Sequence, residues 1–271
     1  MTLHMTHRAS VPAVLVFAGL DPGGGAGLAA DVLAIAAQGA HALPVATALT
    51  VQDNNRVHAV QAVDAAFVLA QAQALVDSVE IRAVKLGIPG SRANARAIAG
   101  LLRGLRERHP RLPVVLDPVL ASGHGDALAE DDPVAIVNEL LPLASIALPN
   151  EPEACAIAGF PCAIAGFPCA VGDFPCAHLL LTGGHGDGRV VENRWYTHGR
   201  LVRRWRWPRL PGAFHGSGCT LAASLAGRLA HGEAMAAALD AAQAYCHGAL
   251  AQSFAIAPGQ RIPRRFLSST M

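Results

Sequence analysis

The residues best suited to chemistry stand in one short stretch, Pro211-Gly212-Ala213-Phe214-His215-Gly216-Ser217-Gly218-Cys219-Thr220, directly before a long Ala/Leu-rich run. Glycines at the start of a helix let backbone N–H groups converge on an anion, and the helix dipole adds positive potential. The same field predicts a lowered pKa for Cys219. The stretch therefore predicts an anion hole at Gly216, Ser217 and Gly218 with a base beside it, which suits group transfer from a phosphate. The alternative is a plain helix start with a small buried cysteine.

The composition fits a single α/β domain with a large core, since 52% of the 271 residues are hydrophobic and 15% are charged. A net charge of +1 gives no reason to expect a nucleic-acid partner. Lys85 is the only lysine and Leu86 follows it. No Walker A sequence therefore exists, and a phosphate must be held by backbone amides or arginine. The six cysteines form no Cys-x-x-Cys pair, which favours a reduced, cytoplasmic protein over a zinc protein.

Apolar runs and helical spacing alternate along the chain. Predicted strands cover residues 12–18, 44–50, 83–88, 113–119, 144–148 and 178–182, and predicted helices cover 26–38, 64–79, 92–108 and 133–141. This alternation predicts a mainly parallel sheet with helices on both faces. Because ligands bind beyond the carboxyl ends of such strands, we expect Gly19, Asp21, Asp117, Asn150 and Gly183 to converge there with the glycine-rich stretch.

Residues 189–207 depart from this alternation. Arg204 and Arg206 alternate with Trp205 and Trp207, which predicts an antiparallel edge hairpin with the tryptophans on its buried face. Arginines interleaved with aromatics can also grip nucleic acid, but a small antiparallel edge to the sheet is favoured.

An internal repeat forms the second departure, because Cys-Ala units recur every seven residues from Cys155 to Cys176 within residues 154–177. A metal-binding stripe or a membrane anchor would each need a continuous helix, which Pro161, Pro168 and Pro175 would interrupt. A tandem duplication that replaces an ordinary surface helix is favoured, with no membrane contact.

The chain ends are predicted to lie outside the domain. Residues 1–10 are expected to form a flexible tail, residues 11–257 one domain and residues 258–271 a C-terminal tail. The apolar run that follows Arg8 resembles a short signal-peptide core. It leads directly into Asp21-Pro22-Gly23 without a clear Ala-x-Ala site, so an internal strand is favoured.

A series of motifs then follows one order along the chain. They are Ala18–Gly27 (AGLDPGGGAG), Thr47–Asn54 (TALTVQDN), Lys85-Leu86-Gly87, Leu116-Asp117-Pro118-Val119, Asn150-Glu151-Pro152-Glu153, Thr182-Gly183-Gly184 and His215–Thr220 (HGSGCT). As an ordered set they resemble the hydroxymethylpyrimidine/phosphomethylpyrimidine kinases of thiamine biosynthesis, from about Ala13 to about Ala251.

The resemblance implies a ribokinase-like three-layer αβα sandwich that phosphorylates 4-amino-5-hydroxymethyl-2-methylpyrimidine, and then its monophosphate, with ATP and Mg²⁺. It also implies a homodimer. Cys219 would take the hydroxymethyl proton, and the amides of residues 216–219 would receive the charge of the transferred phosphoryl group. The implied pyrimidine site comprises Gln52, Gly19, Asp21, Ala26, Ile88 and Val119. The implied ATP site comprises Asn150, Thr182 and Gly184, and the implied metal ligands are Asp117 and Glu153.

Several positions depart from the family pattern. Thr182 stands where many members have a lysine, so a cationic contact to the nucleotide phosphates is missing unless an arginine supplies it. Ile88 replaces a common methionine, and Gly23 replaces a common serine. The repeat is expected to replace a helix on the nucleotide side of the sheet. Two alternatives therefore remain, a pyridoxal or pyridoxine kinase and a catalytically silent pyrimidine-binding protein, while a Rossmann dehydrogenase is disfavoured because Gly23 to Leu28 lack Gly-x-Gly-x-x-Gly.

Overall fold

A computed structural model describes residues 11–129, 131–159, 174–184, 186 and 188–266. The elements follow the order β1 (Ala13–Leu20), α1 (Gly27–Ala36), β2 (His41–Gln52), β3 (Val57–Ala62), α2 (Ala65–Val76), β4 (Ile81–Leu86), α3 (Arg92–Arg108), β5 (Val114–Leu116), α4 (Pro133–Leu140), β6 (Ile146–Ala147), α5 (Glu151–Ala158), β7 (His178–Leu181), β8 (Val190–Thr197), β9 (Arg200–Pro208), α6 (Ser217–Ala230) and α7 (Met235–Ala251). The predicted tail at residues 1–10 lies outside the described residues.

The described strands form one nine-stranded sheet in the order β3-β2-β1-β4-β5-β6-β7-β8-β9. The six strands β2, β1, β4, β5, β6 and β7 pair in parallel, and β3, β8 and β9 pair antiparallel. The predicted mostly parallel sheet is therefore confirmed. Sequence reasoning missed β3, because this edge strand is largely exposed and its residues carry no apolar run.

The core lies on both faces of the sheet, and β1 shows why its sequence is apolar throughout. Leu15 and Phe17 pack towards α2, α3 and α4, whereas Val14 and Val16 pack towards α1, α6 and α7. Successive side chains of a strand point to opposite faces, so a strand with helices on both sides has no polar face. These two helical layers and the sheet between them make the expected αβα sandwich.

The hairpin of β8 and β9 confirms the interpretation of the alternating arginines and tryptophans. Trp205 is buried and its Nε1 donates to Asp240 at 2.7 Å, whereas Arg204 and Arg206 are exposed. The tryptophan face packs on the layer formed by α1, α6 and α7.

Residues 258–266, which the sequence analysis placed in a tail, pack against the domain instead. The amide of Arg261 donates to the Ala213 carbonyl, and the amide of His215 donates back to the Arg261 carbonyl. Ile262 and Arg265 are buried. These backbone hydrogen bonds tie the segment to the glycine-rich stretch, which a sequence pattern does not reveal because the partners are far apart along the chain.

The start of the repeat is helical, so the expectation that the repeat replaces the local helix is wrong for its first residues. Helix α5 carries Ala154 and Cys155 on its buried face. Cys176 is half-buried just before β7, and Cys162 and Cys169 lie outside the described residues. Within the described part of the chain, no helix is long and apolar enough to span a membrane.

Candidate active site

A cavity of about 590 Å³ opens at the carboxyl ends of the parallel strands. All the residues that the sequence analysis assigned to a site contribute to its lining: Gly19, Asp21, Ala26, Gln52, Ile88, Asp117, Val119, Asn150, Glu153, Thr182, Gly184, Gly216, Ser217, Gly218 and Cys219. The predicted convergence at this rim is therefore present except at Gly183, which is not part of the lining. The individual roles depend on what each side chain contacts.

Asp21 organises the glycine loop that follows β1. Its Oδ1 accepts from the amide of Gly23 at 2.7 Å, and its Oδ2 accepts from the amides of Gly25 and Ala26 at 3.0 and 2.8 Å. His215 also lies against it, with Nε2 2.8 Å from Asp21 Oδ2. Burial raises the pKa of Asp21, but the hydrogen bonds from His215, Ala26 and Gly23 outweigh it and hold the pKa below its ordinary value.

Gln52 reaches the same histidine from the end of β2. Its Nε2 lies 3.2 Å from His215 Nε2, so His215 joins the glycine loop, β2 and the glycine-rich stretch before α6. Ile88 packs close to Gly19, where a Cβ would lie 2.7 Å from the Ile88 Cδ1. His215 therefore contacts both the glycine loop after β1, through Asp21, and the end of β2, through Gln52.

The glycine-rich stretch before α6 has the geometry that its glycines predict. Gly216 caps α6 with φ +78°, a left-handed conformation that favours glycine. A Cβ at this position would also collide with the Gly25 carbonyl oxygen. Ser217, Gly218 and Cys219 form the first turn of α6, where backbone N–H groups have no intrahelical partners and are able to bind an anion.

The pKa of Cys219 moves opposite to the predicted direction. Burial raises the pKa of the thiol to about 12, and the carboxylates of Asp117 and Asp31 act in the same sense, whereas Lys85 opposes them. The helix-dipole argument is therefore wrong for the unliganded protein, since desolvation and two nearby carboxylates outweigh the helix field. Cys219 rests as a neutral thiol.

A buried charge cluster lies beneath Cys219. Lys85 on β4 is fully buried, with Nζ 2.8 Å from Asp31 Oδ2 and 3.9 Å from Asp117 Oδ2. Asp117 Oδ2 is buried with no hydrogen-bond partner among the described residues. Burial raises the pKa of Asp117, against the opposing effects of Lys85 and a hydrogen bond with Cys219. Lys85 thus supplies the positive charge that holds Asp117 at the rim.

Asn150 and Glu153 form the cap of α5. Asn150 Oδ1 accepts from the Glu153 amide at 2.8 Å, and Glu153 Oε2 accepts from the Asn150 amide at 2.9 Å, a reciprocal capping box. Burial raises the pKa of Glu153 to about 8, with a further contribution from Asp117. The Asn-x-x-Glu spacing thus has a structural role in addition to any ligand contact, which the sequence analysis did not consider.

The loop after β7 is held by buried amides. The Gly183 amide donates to Asn193 Oδ1 at 3.1 Å, and Asn193 Nδ2 donates to Gln243 Oε1 at 2.8 Å. Thr182 Oγ1 donates to the Pro149 carbonyl at 3.4 Å. Thr182 and Gly184 therefore line the cavity from a fixed loop.

A family model described as phosphomethylpyrimidine kinase matches residues 21–263. The chain belongs to the phosphomethylpyrimidine kinase family. The hydroxymethylpyrimidine/phosphomethylpyrimidine kinase of Rhizobium meliloti is 37% identical over 252 residues, which cover 91% of this chain and 93% of that protein. The chain is accordingly a phosphotransferase, as the ordered motifs predicted.

Solved structures agree with the ribokinase-like fold. The phosphomethylpyrimidine kinase of Clostridium difficile superimposes with a TM-score of 0.72 at 27% identity, over 88% of this chain and 98% of that one. A pyridoxal kinase of Staphylococcus aureus in complex with AMP-PCP and pyridoxal superimposes with a TM-score of 0.81 at 21% identity, over 95% and 94%. At that identity the second likeness concerns the fold alone.

Arg265 supports the cavity from behind, and sequence reasoning missed it. Its Nη2 donates to the Gly25 carbonyl at 2.5 Å and lies 3.4 Å from the Gly216 carbonyl, while its Nε donates to Thr220 Oγ1 at 3.0 Å. The guanidinium thereby fastens the glycine loop to the first turn of α6. No local signal marks this arginine, because it stands in the segment taken for a tail.

We expect Asp21→Asn to lower stability at neutral pH and to make it less sensitive to acid. Losing the charge that accepts three backbone hydrogen bonds should cost about 1.5–3 kcal/mol. A carboxylate with a depressed folded pKa stabilises the fold above its unfolded pKa of about 4, and this contribution is lost as the pH falls through the folded pKa. Denaturant titrations from pH 3 to pH 7 should therefore show the two proteins converging below about pH 4. A difference that stays constant over this range would contradict the assignment.

Proposed function

We propose that this kinase transfers the γ-phosphoryl group of ATP, with Mg²⁺, to the hydroxymethyl oxygen of 4-amino-5-hydroxymethyl-2-methylpyrimidine and then to the resulting monophosphate, in thiamine biosynthesis. The observation that carries the proposal is the convergence of Gln52, Asp117 and the first turn of α6 on one cavity. Family membership supplies the reaction class, and the named activity of the Rhizobium meliloti relative supports the substrate.

Recognition of the pyrimidine is assigned to Gln52 and its surroundings. A carboxamide offers both a donor and an acceptor, which match the edge of an aminopyrimidine ring. Gly19 and Ala26 border this region with little side-chain volume, and Ile88 and Val119 add apolar surface. Asp21 is assigned an indirect role, because its carboxylate is occupied by the loop amides and His215.

The amides at the start of α6 are assigned to the charge on the transferred phosphoryl group. Phosphoryl transfer depends chiefly on positioning and on stabilising the spread negative charge, so fixed N–H donors at a helix terminus suit it. Gly216 holds the turn in the required conformation. Arg265 keeps the turn against the glycine loop.

Cys219 is proposed to face the hydroxymethyl oxygen. In the unliganded protein it is a neutral thiol, which can orient the attacking hydroxyl by hydrogen bonding. It can accept the hydroxyl proton only as a thiolate, after its own proton has passed to water. We therefore assign the role of proton acceptor to Cys219 only in the loaded site.

The magnesium site implied by the family is assigned first to Asp117. A hard cation prefers carboxylate oxygens, and Mg²⁺ is commonly held by one or two carboxylates together with substrate phosphates and water. Asp117 Oδ2 is buried and has no hydrogen-bond partner among the described residues, which fits this requirement. Glu153 fits less fully, since one of its oxygens caps α5. No group of three or more His, Cys, Asp or Glu side chains among the described residues is placed to hold a metal alone, so the nucleotide would supply the remaining ligands.

A product assay by mass spectrometry tests the function. The protein is incubated with ATP and Mg²⁺ and, in separate reactions, the pyrimidine alcohol, its monophosphate and pyridoxal. We expect phosphorylation of the first two, with kcat/KM for the pyrimidine alcohol at least tenfold above that for pyridoxal. A preference for pyridoxal would support the pyridoxal kinase alternative. Tight pyrimidine binding without any product would support a silent binding protein.

The nucleotide is proposed to extend from Asp117 towards Asn150, Thr182 and Gly184. These residues follow β6 and β7, on the side of β5 opposite to Gln52.

Family resemblance further supports a homodimer and a cytoplasmic location as proposals.

A further inference from the structure

One arginine at the cavity, Arg209, forms no ion pair with a carboxylate of the described residues. The cationic side chains of Lys and Arg that line the cavity within the described residues are Arg56, Lys85 and Arg209. Lys85 is paired with Asp31, and Arg56 is paired with Asp126 through both Nε and Nη2. Arg209 contacts only carbonyl oxygens among the described residues.

The Arg209 guanidinium is nevertheless held firmly. Its Nε donates to the Gly188 carbonyl at 2.6 Å, and its Nη1 donates to the Gly184 carbonyl at 2.7 Å. Nη2 is buried and has no hydrogen-bond partner within the part of the chain that the structure describes. A charged donor that is fixed at the wall of a cavity without a hydrogen-bond partner destabilises the fold, unless a ligand accepts its hydrogen bond.

The position of Arg209 favours the nucleotide over the acceptor substrate. Arg209 follows β9, and β9 runs parallel to β7 because both pair antiparallel with β8. Arg209 therefore lies at the same rim as the cavity, and it bends back to Gly184 directly after β7. Gln52 ends β2, which lies on the opposite side of β5. With neighbouring strands about 4.8 Å apart, Arg209 and Gln52 lie at opposite ends of the cavity.

We propose that Arg209 is the cationic contact to the phosphates of the bound nucleotide. This inference rests on the proposed use of ATP. Arg209 then provides the cationic contact that many family members obtain from a lysine at the position of Thr182. An arginine fork anchored by two carbonyls presents its remaining N–H groups in a defined direction, which suits phosphate oxygens.

Calorimetric titration of the full chain in the presence of Mg²⁺ tests this assignment. We expect Arg209→Ala to weaken the binding of ADP at least tenfold and that of adenosine less than twofold, because only ADP carries the charge. KM for ATP should rise at least tenfold while KM for the pyrimidine alcohol changes less than twofold. Arg209→Lys should recover part of the ADP affinity. The matched control is Arg204→Ala, an exposed arginine on β9 just before Arg209, and this variant should bind ADP like the unaltered protein.

The other outcomes are distinct. Unchanged ADP binding by Arg209→Ala would overturn the assignment, as would equal losses for ADP and adenosine, which indicate a structural role. A loss confined to the pyrimidine monophosphate would place the arginine at the other phosphate and also overturn it. Should Arg209→Ala fail to fold, Arg209→Gln keeps a carbonyl-binding amide without the charge and is expected to give the same selective loss. If the unaltered protein neither binds ADP nor turns over ATP, the proposed function itself fails.

Discussion

Replacing Lys85 by methionine is expected to lower the free energy of unfolding by about 3–5 kcal/mol. Lys85 Nζ is fully buried between Asp31 and Asp117, and methionine fills a similar volume without the charge. Two buried carboxylates then lose their counter-charge, in a fold whose total stability is of the order of 5–15 kcal/mol. Urea denaturation followed by circular dichroism measures the loss.

The pH dependence of this loss is a further expected result. Burial already raises the pKa of Asp31 to about 6, although Lys85 lowers it. Without Lys85 the pKa of Asp31 rises further, so Asp31 takes up a proton more readily in the variant. The loss of free energy of unfolding should therefore be smaller at pH 5 than at pH 8. The double variant Lys85→Met/Asp31→Asn should recover at least half of the lost stability. A loss below about 1 kcal/mol for Lys85→Met would show that the pair is not essential to the fold.

Cys219→Ala should reduce kcat/KM for the pyrimidine alcohol about 100-fold, within the range for loss of a group that transfers a proton or contacts the transition state. The sulfur lies in the first turn of α6, and the nearby Asp117 carboxylate helps to raise the pKa of the thiol. Its removal should leave the attacking hydroxyl without a partner. Because the change removes one atom, the free energy of unfolding should change by less than about 1 kcal/mol. Steady-state kinetics with saturating ATP provide the measurement.

Cys176→Ala is the matched control, since this cysteine is half-buried beside β7 and is not part of the cavity lining. It should retain kcat/KM within a factor of two. Cys219→Ser should fall between the alanine variant and the unaltered protein, because a hydroxyl can orient the substrate but is a weaker acid than a thiol. Activity of Cys219→Ala within threefold of the unaltered protein would exclude Cys219 from the reaction.

The sheet and most of its helices could be predicted from the sequence because their patterns are local. The buried strands read as apolar runs, and α3 carries apolar positions at helical spacing over Arg92–Arg108, as predicted. Strand β3 could not be found in this way, since it is exposed and takes its conformation from pairing with β2. The C-terminal segment is similar: its order comes from contacts with residues near the start of the chain.

The candidate site shows the same division. Its position followed from strand ends and glycines, and those signals are local. The pKa of Cys219 depends on Asp31 of α1, Lys85 of β4 and Asp117 directly after β5. A helix-dipole argument contains none of these charges. The role of Asn150 and Glu153 as a helix cap was within reach of the sequence, because the spacing itself indicates it.

The placement of Arg265 has a consequence for the order in which the protein matures. Ribosomes deliver the amino-terminal glycine loop first, and domains fold as their residues emerge. The Gly25 carbonyl accepts its hydrogen bond from Arg265, which lies 240 residues later in the chain. A nascent chain can therefore form most of its sheet before Arg265 joins the glycine loop to the first turn of α6. Competence for phosphoryl transfer should therefore arise only after Arg265 has left the ribosome and has bound the Gly25 carbonyl.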